Sequence, residues 1–218
     1  MVFQGTVLGT WNMFYSDVRH ACEKAGFEDT IVADDLNAFK EVMASENNDA
    51  LVGEAKKCQE EVHAWGRVNG VTFEATKESA HVLSRVDPAG GEFLMLGVNF
   101  DPKLTMGLEV DELVKECSWR ITQLLRAGAF FNGMEMIFLF KQQVLGIIEY
   151  RTSALYHAAD TVLAPLDGLL RRVLRAANMT EEEAIVHAKM APLQTRRDIA
   201  VLGLIHRQAL GQGPKPLD

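Results

Sequence analysis

The sequence predicts an α+β fold, in which a small antiparallel sheet with helices is followed by an all-helical region. The first observation is a pair of short apolar runs on either side of Asp34 and Asp35. This pattern is typical of two strands joined by a tight turn. The second observation is a change of period near residue 102, after which apolar residues recur three and four positions apart over long stretches. Such a period is typical of amphipathic helices.

The change of period divides the chain into residues 1–101, a helical part over residues 102–210, and a flexible tail over residues 211–218. In the first part we expect a helix that ends at Gly26 and a second helix capped by Asn47 or Asn48. The predicted strands of this part are 29–33 and 36–41 around the carboxylates, then 71–73, 81–84 and 93–100. The predicted helices of the second part are 108–127, 133–159, 164–177, 180–187 and 195–210.

The charge is unevenly distributed along the chain, whose net charge is −8. Residues 1–112 carry 9 Lys and Arg against 20 Asp and Glu, a net of −11, and residues 113–218 carry 13 against 10, a net of +3. The overall acidity argues against a stand-alone nucleic-acid binder, because neutralising phosphates requires Lys and Arg. The basic half is where contacts with nucleic acid are expected.

The cysteines and the hydropathy pattern indicate an intracellular protein. Cys22, Cys58 and Cys117 are widely spaced and have no His partners at metal-binding spacing, so we expect reduced thiols. The sequence has no apolar run of about 18 residues, so no membrane span is expected. It also has no basic and then apolar leader of the secretory kind.

Four short motifs follow one another along the first half of the chain. They are Gln-Gly-x-x-Leu at 4–8, Ala-Asp-Asp at 33–35, Asn-x7-Lys at 69–77 and Leu-Gly-Val-x-Phe-Asp at 96–101. In this order the motifs resemble the second half of a reverse transcriptase palm, most of all that of the non-LTR retrotransposon type. The C-terminal stretches 148–150 and 191–207 are similar to the same subtype, so the resemblance covers nearly the whole chain.

The resemblance implies RNA-directed DNA synthesis on an RNA template, with a DNA primer, a deoxynucleoside triphosphate (dNTP) and two Mg²⁺ ions. It implies that Asp34 is a direct metal ligand, that Asp35 is a secondary ligand, and that Lys77 lies near the departing pyrophosphate. Carboxylates and phosphate oxygens are the ligands that Mg²⁺ commonly takes. A cation beside the leaving group can stabilise it or protonate it.

Other residues match family segments that contact the template, the nucleotide and the primer. Gln4 and Gly5 match the segment that packs against the template base and the nucleotide sugar, and Leu96 and Gly97 match the strand that supports the primer end. The helical second part resembles a thumb, in which arginines would contact the phosphates of the duplex, although a solvated helix face with local salt bridges is an equally good interpretation of them. These arginines are Arg171, Arg172, Arg175, Arg196, Arg197 and Arg207.

The resemblance also predicts what this chain lacks. The third metal-binding aspartate of the family and the fingers would precede Met1, and Val32 stands where the family favours Tyr or Phe. We therefore expect a polymerase fragment that binds Mg²⁺ weakly and is inactive by itself. A palm without these parts has an exposed edge or face, which predicts self-association.

Two other functions are compatible with the sequence. The chain could be a non-catalytic helical interaction module or structural remnant of a retroelement. It could also be an unrelated two-carboxylate metal hydrolase, but no His or further carboxylate cluster accompanies Asp34 and Asp35. The sequence leaves the polymerase and the interaction module open.

Overall fold

The structure, a computed structural model, describes residues 7–43 and 46–212. The chain divides into two compact units at the Leu96–Gly97 bond, a few residues before the change of period in the sequence. Within the described residues the strands form two antiparallel two-stranded sheets, and most of the remaining chain is helical. The predicted α+β class is confirmed.

The N-terminal unit begins with two helices, α1 (Val7–Tyr15) and α2 (Arg19–Lys24), which are joined by a 3-10 turn. The amide of Phe27 donates to the carbonyl of Cys22 at 2.9 Å, which closes the end of α2. Gly26 has a φ of 80°, a left-handed conformation that glycine adopts at no steric cost. The predicted helix end at Gly26 is confirmed, but the 3-10 turn divides the helix that was predicted as one.

A tight hairpin and a long helix complete the regular structure of this unit. The hairpin consists of β1 (Glu28–Val32) and β2 (Asp35–Phe39), which pair antiparallel. The long helix is α3 (Asn48–Asn69), and the side chain of Asn47 accepts a hydrogen bond from the amide of Asp49 at 2.8 Å. This contact satisfies one of the amides that a helix start leaves unpaired. Both the predicted hairpin and the predicted cap are confirmed.

The core of the N-terminal unit lies between α1, α2 and α3. Cys58 and Val62 of α3 supply part of its inner face, and one side of the hairpin packs against the cluster through the partly buried Ile31 and Leu36. Burial of apolar surface is favourable, so these contacts fix the position of the hairpin. The buried members of the cluster are Tyr15, Val18, Ala21, Cys22, Cys58 and Val62.

The segment after α3 contains less strand than predicted. The predicted strands 71–73 and 81–84 are wrong: in this described stretch the pairing of Val82 with Ala89 is an isolated bridge. Phe73 packs against the core cluster instead. A short apolar run becomes a strand where a neighbouring strand supplies hydrogen bonds, and here the apolar residues serve as packing contacts.

The strand predicted over 93–100 is two short strands, β3 (Phe93–Met95) and β4 (Val98–Phe100). They form the second two-stranded sheet. The turn between them consists of Leu96 and Gly97, whose φ values are 50° and 75°. Positive φ at both central residues is what a two-residue hairpin of type I′ requires, and Gly97 makes the reversal possible.

The C-terminal unit is a helical assembly, and no strand occurs among residues 110–210, all of which are described. This confirms the predicted all-helical region. Its helices after β4 are α4 (Gly107–Arg126), α5 (Gly133–Phe140), α6 (Gly146–Tyr150), α7 (Thr152–Leu155), α8 (Asp160–Ala176), α9 (Glu181–Ala188) and α10 (Leu193–Ala209).

One helix predicted in this unit, 133–159, is interrupted. A π-helical turn over Lys141–Leu145 separates α5 from α6, and the chain breaks again at Arg151 before α7. The apolar period continues through the π-helical turn, since Val144 and Leu145 are both buried. A pattern of apolar residues therefore does not reveal the interruption.

The start of α9 follows its sequence signature. Thr180 and Glu183 form a capping box, in which the Thr180 side chain accepts from the Glu183 amide and the Glu183 carboxylate accepts from the Thr180 amide. The Thr-x-x-Glu pattern over residues 180–183 is the usual sequence signature of this box, which satisfies two amides at the helix start.

A buried carboxylate ties β4 to the helices. Glu109 on α4 is 1% exposed and accepts hydrogen bonds from the backbone amide of Asn99 at 2.8 Å and from its side chain at 3.0 Å. Arg151 pairs with the same carboxylate at 2.5 Å. A buried charge is tolerated when it is paired and hydrogen-bonded, so this network fixes β4, α4 and the α6–α7 junction with respect to one another.

Candidate functional site

The carboxylate pair lies at the tip of the first hairpin. Val32 pairs with Asp35 in the ladder, so the turn consists of Ala33 and Asp34 alone. Both carboxylates are exposed to solvent. Ala33 has a φ of 56°, because two-residue hairpin turns need positive φ at their first central position. The strands reverse with the smallest possible loop, which keeps Asp34 and Asp35 at one end of the sheet.

The side chain of Trp11 supports the turn. The indole Nε1 of Trp11 donates a hydrogen bond to the carbonyl of Ala33 at 3.0 Å. The Trp11 ring stacks on Tyr15, with centroids 5.2 Å apart and planes 19° apart. Tyr15 in turn meets the edge of Trp65 at 5.6 Å. Since Tyr15 is 2% exposed, the chain of contacts connects the exposed turn to the buried core.

Asp34 and Asp35 contribute to the raised pKa of Tyr15. Burial, reinforced by Cys22, Asp34 and Asp35, raises the pKa of Tyr15 to about 12. The phenol is therefore protonated at neutral pH. Trp11 links the hairpin tip to Tyr15, because it donates to the Ala33 carbonyl and stacks on the Tyr15 ring.

Lys77 lies in the same neighbourhood. It ends a 3-10 turn, Ala75–Lys77, and its ammonium pairs with Glu74 at 2.7 Å. Glu74 raises the pKa of Lys77, and the charges of Asp34 and Asp35 raise it further. Lys77 therefore lies near enough to the carboxylate pair for their charges to affect it, although it is more than 40 positions away in the sequence. An exposed cation beside two carboxylates suits a site for a phosphate ester with a bound metal.

Glu78, the residue after Lys77, connects this segment to α3. The carboxylate of Glu78 lies 2.9 Å from Nε2 of His63, and the side-chain amide of Gln59 donates to it as well. The His63 ring packs on Phe73, with centroids 5.4 Å apart. These contacts hold the backbone next to Lys77 against α3.

The other predicted nucleotide and primer contacts are placed differently. Gln4 and Gly5 lie outside the described residues. Leu96 and Gly97, predicted within a strand, form the turn of the second hairpin instead. Two consecutive residues with positive φ interrupt the ladder, so this prediction is corrected from a strand to a turn.

Some of the candidate arginines are paired with other side chains of the fold, and others are exposed to solvent. Arg197 is 6% exposed and makes a bidentate pair with Asp167 at 2.9 and 3.1 Å. Its predicted availability for phosphate is therefore wrong, because its guanidinium is used inside the fold. Arg196 pairs with Glu149, and Arg172 donates to the hydroxyl of Thr122 at 3.1 Å.

The exposed group consists of Arg207 on α10 and two arginines on α8. Arg171 and Arg175 share one side of α8 at i and i+4. They line a groove of about 420 Å³ together with Leu174, Met179 and Glu181. Arg175 donates to the carbonyl of Arg171 through Nε at 3.3 Å. Both side chains are exposed, so this face can offer two guanidinium groups to an anion, next to the carboxylate of Glu181.

Sequence reasoning missed the residues that support the site. The hydrogen bond of Trp11 to the turn joins residues 22 positions apart, and it depends on the packing of α1 against the hairpin. His63 and Glu78 are 15 positions apart in the sequence, with no local motif to join them. The pattern Trp-x3-Tyr over residues 11–15 was the one signal available, because it places two aromatic rings on one helix face.

Searches for similarity and for further site types gave negative results. Among the described residues, no group of three or more His, Cys, Asp or Glu side chains is placed to hold a metal ion. No helix in the described ranges is long and apolar enough to cross a bilayer. Comparisons with protein-family models, with curated proteins and with solved structures found no match for this chain.

Proposed function

We propose that this chain forms part of a reverse transcriptase of the non-LTR retrotransposon type, with Asp34 and Asp35 as ligands of catalytic Mg²⁺. The observation that supports this best is the two-residue hairpin that presents both carboxylates at its tip, with Lys77 close enough for their charges to raise its pKa. The donor chemistry fits the metal, since Mg²⁺ is commonly bound by one or two carboxylates together with substrate phosphates.

In this proposal the residues of the chain have distinct tasks. Asp34, in the turn itself, is a direct ligand, and Asp35, the first residue of β2, is a secondary one. Lys77 stabilises the charge that develops on the departing pyrophosphate of the dNTP. The bound Mg²⁺ ions would align the attacking oxygen and neutralise the phosphates. Trp11 keeps the turn in place by holding the Ala33 carbonyl.

Two carboxylates are a small ligand set for this task. Mg²⁺ requires near-octahedral oxygen ligands and releases its waters reluctantly, so we expect weak binding at the tip of the hairpin. Positioning of the reacting groups alone can be worth about 7–11 kcal/mol of the barrier. We therefore expect no primer extension by this chain alone on an RNA template, and synthesis once a further carboxylate and a nucleotide pocket are supplied.

Metal binding can be tested without activity. Mn²⁺, a paramagnetic substitute for Mg²⁺, should broaden the amide signals of Asp34 and Asp35 in a ¹⁵N-labelled sample at low millimolar concentrations or above. Asp34→Asn should reduce this broadening most, and Asp35→Asn should reduce it less. The matched control is Glu28→Gln, which removes an exposed carboxylate at the opposite end of the same hairpin. Equal broadening in the Asp34→Asn and control proteins would exclude the pair as the metal site.

Activity can be tested by fusing the fingers and first palm strand of a complete reverse transcriptase to the N-terminus. The fusion should extend a DNA primer on an RNA template, Asp34→Ala should abolish synthesis, and Asp35→Ala should reduce it less. Synthesis by the unmodified chain, abolished by Asp34→Ala, would show that its own residues complete the metal site.

The exposed arginines of α8 are the proposed contacts with the template–primer duplex. Each phosphate contact lowers the slope of log affinity against log salt by about 0.9 for B-DNA. Arg171→Gln and Arg175→Gln should each reduce the magnitude of the slope by about that amount. Arg126→Gln, at an exposed site at the end of α4, is the control and should leave the slope unchanged. If all three variants give the same slope, the groove does not bind phosphate.

A second candidate function, an interaction module, is favoured by the outer face of α10. Ile199, Leu202 and Ile205 are between 59% and 62% exposed and follow one another three residues apart. Contiguous apolar surface of this kind is typical of contact sites. Light scattering at high concentration should detect self-association, which Leu202→Ser should weaken and Gln194→Ser should not. A chain that remains monomeric would contradict this candidate.

A further inference from the structure

The N-terminal unit buries two cysteines side by side. Cys22 on α2 and Cys58 on α3 are 0% and 3% exposed and belong to the same core cluster. The two helices pack directly on each other, and Cys58 lies near enough to Cys22 to raise the pKa of the Cys22 thiol. The two cysteines are therefore neighbours across the helix interface.

We propose that Cys22 and Cys58 form an oxidisable pair, whose disulfide cross-links α2 to α3. The ring closed in this way contains the hairpin with Asp34 and Asp35, because both carboxylates lie between the two cysteines in the sequence. With oxidised glutathione as the oxidant, the reaction is balanced. One thiolate attacks glutathione disulfide and releases glutathione, and the second thiol then displaces the other glutathione to form the protein disulfide.

The same environment makes this oxidation slow in the folded state. Burial and the neighbouring Cys58 raise the pKa of Cys22 to about 12, and burial raises the pKa of Cys58 as well. The thiolate is the reactive form, and it is scarce in both side chains at neutral pH. The disulfide therefore forms during folding, or when α2 and α3 separate transiently, and once formed it is equally protected from reductants.

The proposal is independent of the polymerase function, and it predicts that the disulfide forms more readily in the folded than in the unfolded chain. Cys117→Ala leaves Cys22 and Cys58 as the sole cysteines. This variant is brought to equilibrium in mixtures of reduced and oxidised glutathione, with and without denaturant, and the disulfide is quantified by intact mass after alkylation. The effective concentration of the pair should be about 30- to 1,000-fold higher in native buffer than in denaturant, the range given by stabilising disulfides.

The third cysteine provides the matched comparison. Cys117 is also fully buried, with its pKa raised to about 11, but it lies in the other compact unit. Peptide mapping of the oxidised wild-type chain should find Cys22 linked to Cys58 and Cys117 still reduced, even if the Cys117→Ala variant folds poorly. An effective concentration in native buffer no higher than in denaturant, or a native disulfide that includes Cys117, would overturn the proposal.

Discussion

The indole of Trp11 and the carbonyl of Ala33, 22 positions apart, are joined by a hydrogen bond of 3.0 Å. Through this contact α1 holds the turn on which Asp34 and Asp35 stand. Ala33 has a φ of 56°, a left-handed conformation that costs a non-glycine residue about 1–2 kcal/mol. The hydrogen bond and the ladder of the hairpin together maintain this strained turn.

Ala33→Gly should stabilise the N-terminal unit. Glycine adopts positive φ without the steric cost of a Cβ atom, while it loses more chain entropy on folding than alanine. The free energy of unfolding should rise by about 0.5–1 kcal/mol in urea titrations followed by tryptophan fluorescence. Ala38→Gly, within β2 of the same hairpin, is the control and should lower it by about the same amount. A loss of stability in both variants would mean that the turn is not strained.

Trp11→Phe should loosen the turn without emptying the aromatic cluster. Phenylalanine retains a ring to stack on Tyr15 but has no donor for the Ala33 carbonyl, and one hydrogen bond contributes about 0.5–1.5 kcal/mol. Hydrogen exchange at Asp34 and Asp35 should become faster, and Mn²⁺ should broaden their signals less. Trp119→Phe, at an exposed position on α4, should change neither quantity.

Arg197→Ala should destabilise the C-terminal unit strongly. Removing Arg197 from this partly buried, bidentate ion pair leaves the Asp167 carboxylate without its partner, which costs roughly 3 kcal/mol. Arg171→Ala, at an exposed position on α8, should change stability by less than about 0.5 kcal/mol. Thermal unfolding of the two variants distinguishes them, and equal midpoints would show that the pair of Arg197 with Asp167 is not structural.

Asp101→Asn should remove a pH-dependent part of the stability. Burial raises the pKa of Asp101, but hydrogen bonds from Thr105, Met106 and Lys103 outweigh burial and lower it overall. A carboxylate with a lowered pKa in the folded state stabilises the fold above its unfolded pKa of about 3.9. This contribution is lost as the pH falls through the folded pKa.

The expected cost of Asp101→Asn at pH 7 is about 1–3 kcal/mol, since hydrogen bonds to a charged acceptor are the stronger kind. The difference from wild type should shrink as the pH falls below about 4. The comparison with Asp87→Asn, at an exposed loop position, separates this local effect from a change in net charge. A difference that is constant from pH 7 to pH 3 would assign the loss to geometry instead of charge.

Local chemistry determined much of this fold. The turn at Asp34, the cap at Asn47, the helix end at Gly26 and the box of Thr180 with Glu183 were all predictable. Each depends on residues within a few positions of one another. The period of the apolar residues is also a local property of the sequence, and it predicted the α+β class and the helical second half.

The tertiary structure decided what these elements do together. The strands expected at 71–73 and 81–84 did not form, because a strand needs a partner and packing gave those residues other contacts. Arg197 and Arg171 are both arginines on helices, and neighbouring helices determine that the first is buried against Asp167 and the second is exposed.

In the candidate site, too, some features follow from the local sequence and others from tertiary packing. The sequence by itself determined that two carboxylates stand at the tip of a tight hairpin, because two apolar runs flank them. Packing decided that Trp11 holds the turn, that the charges of Asp34 and Asp35 raise the pKa of Lys77, and that Cys22 and Cys58 share one buried cluster. These contacts join residues far apart in the chain, and burial of apolar surface between α1, α2, α3 and the hairpin brings them together.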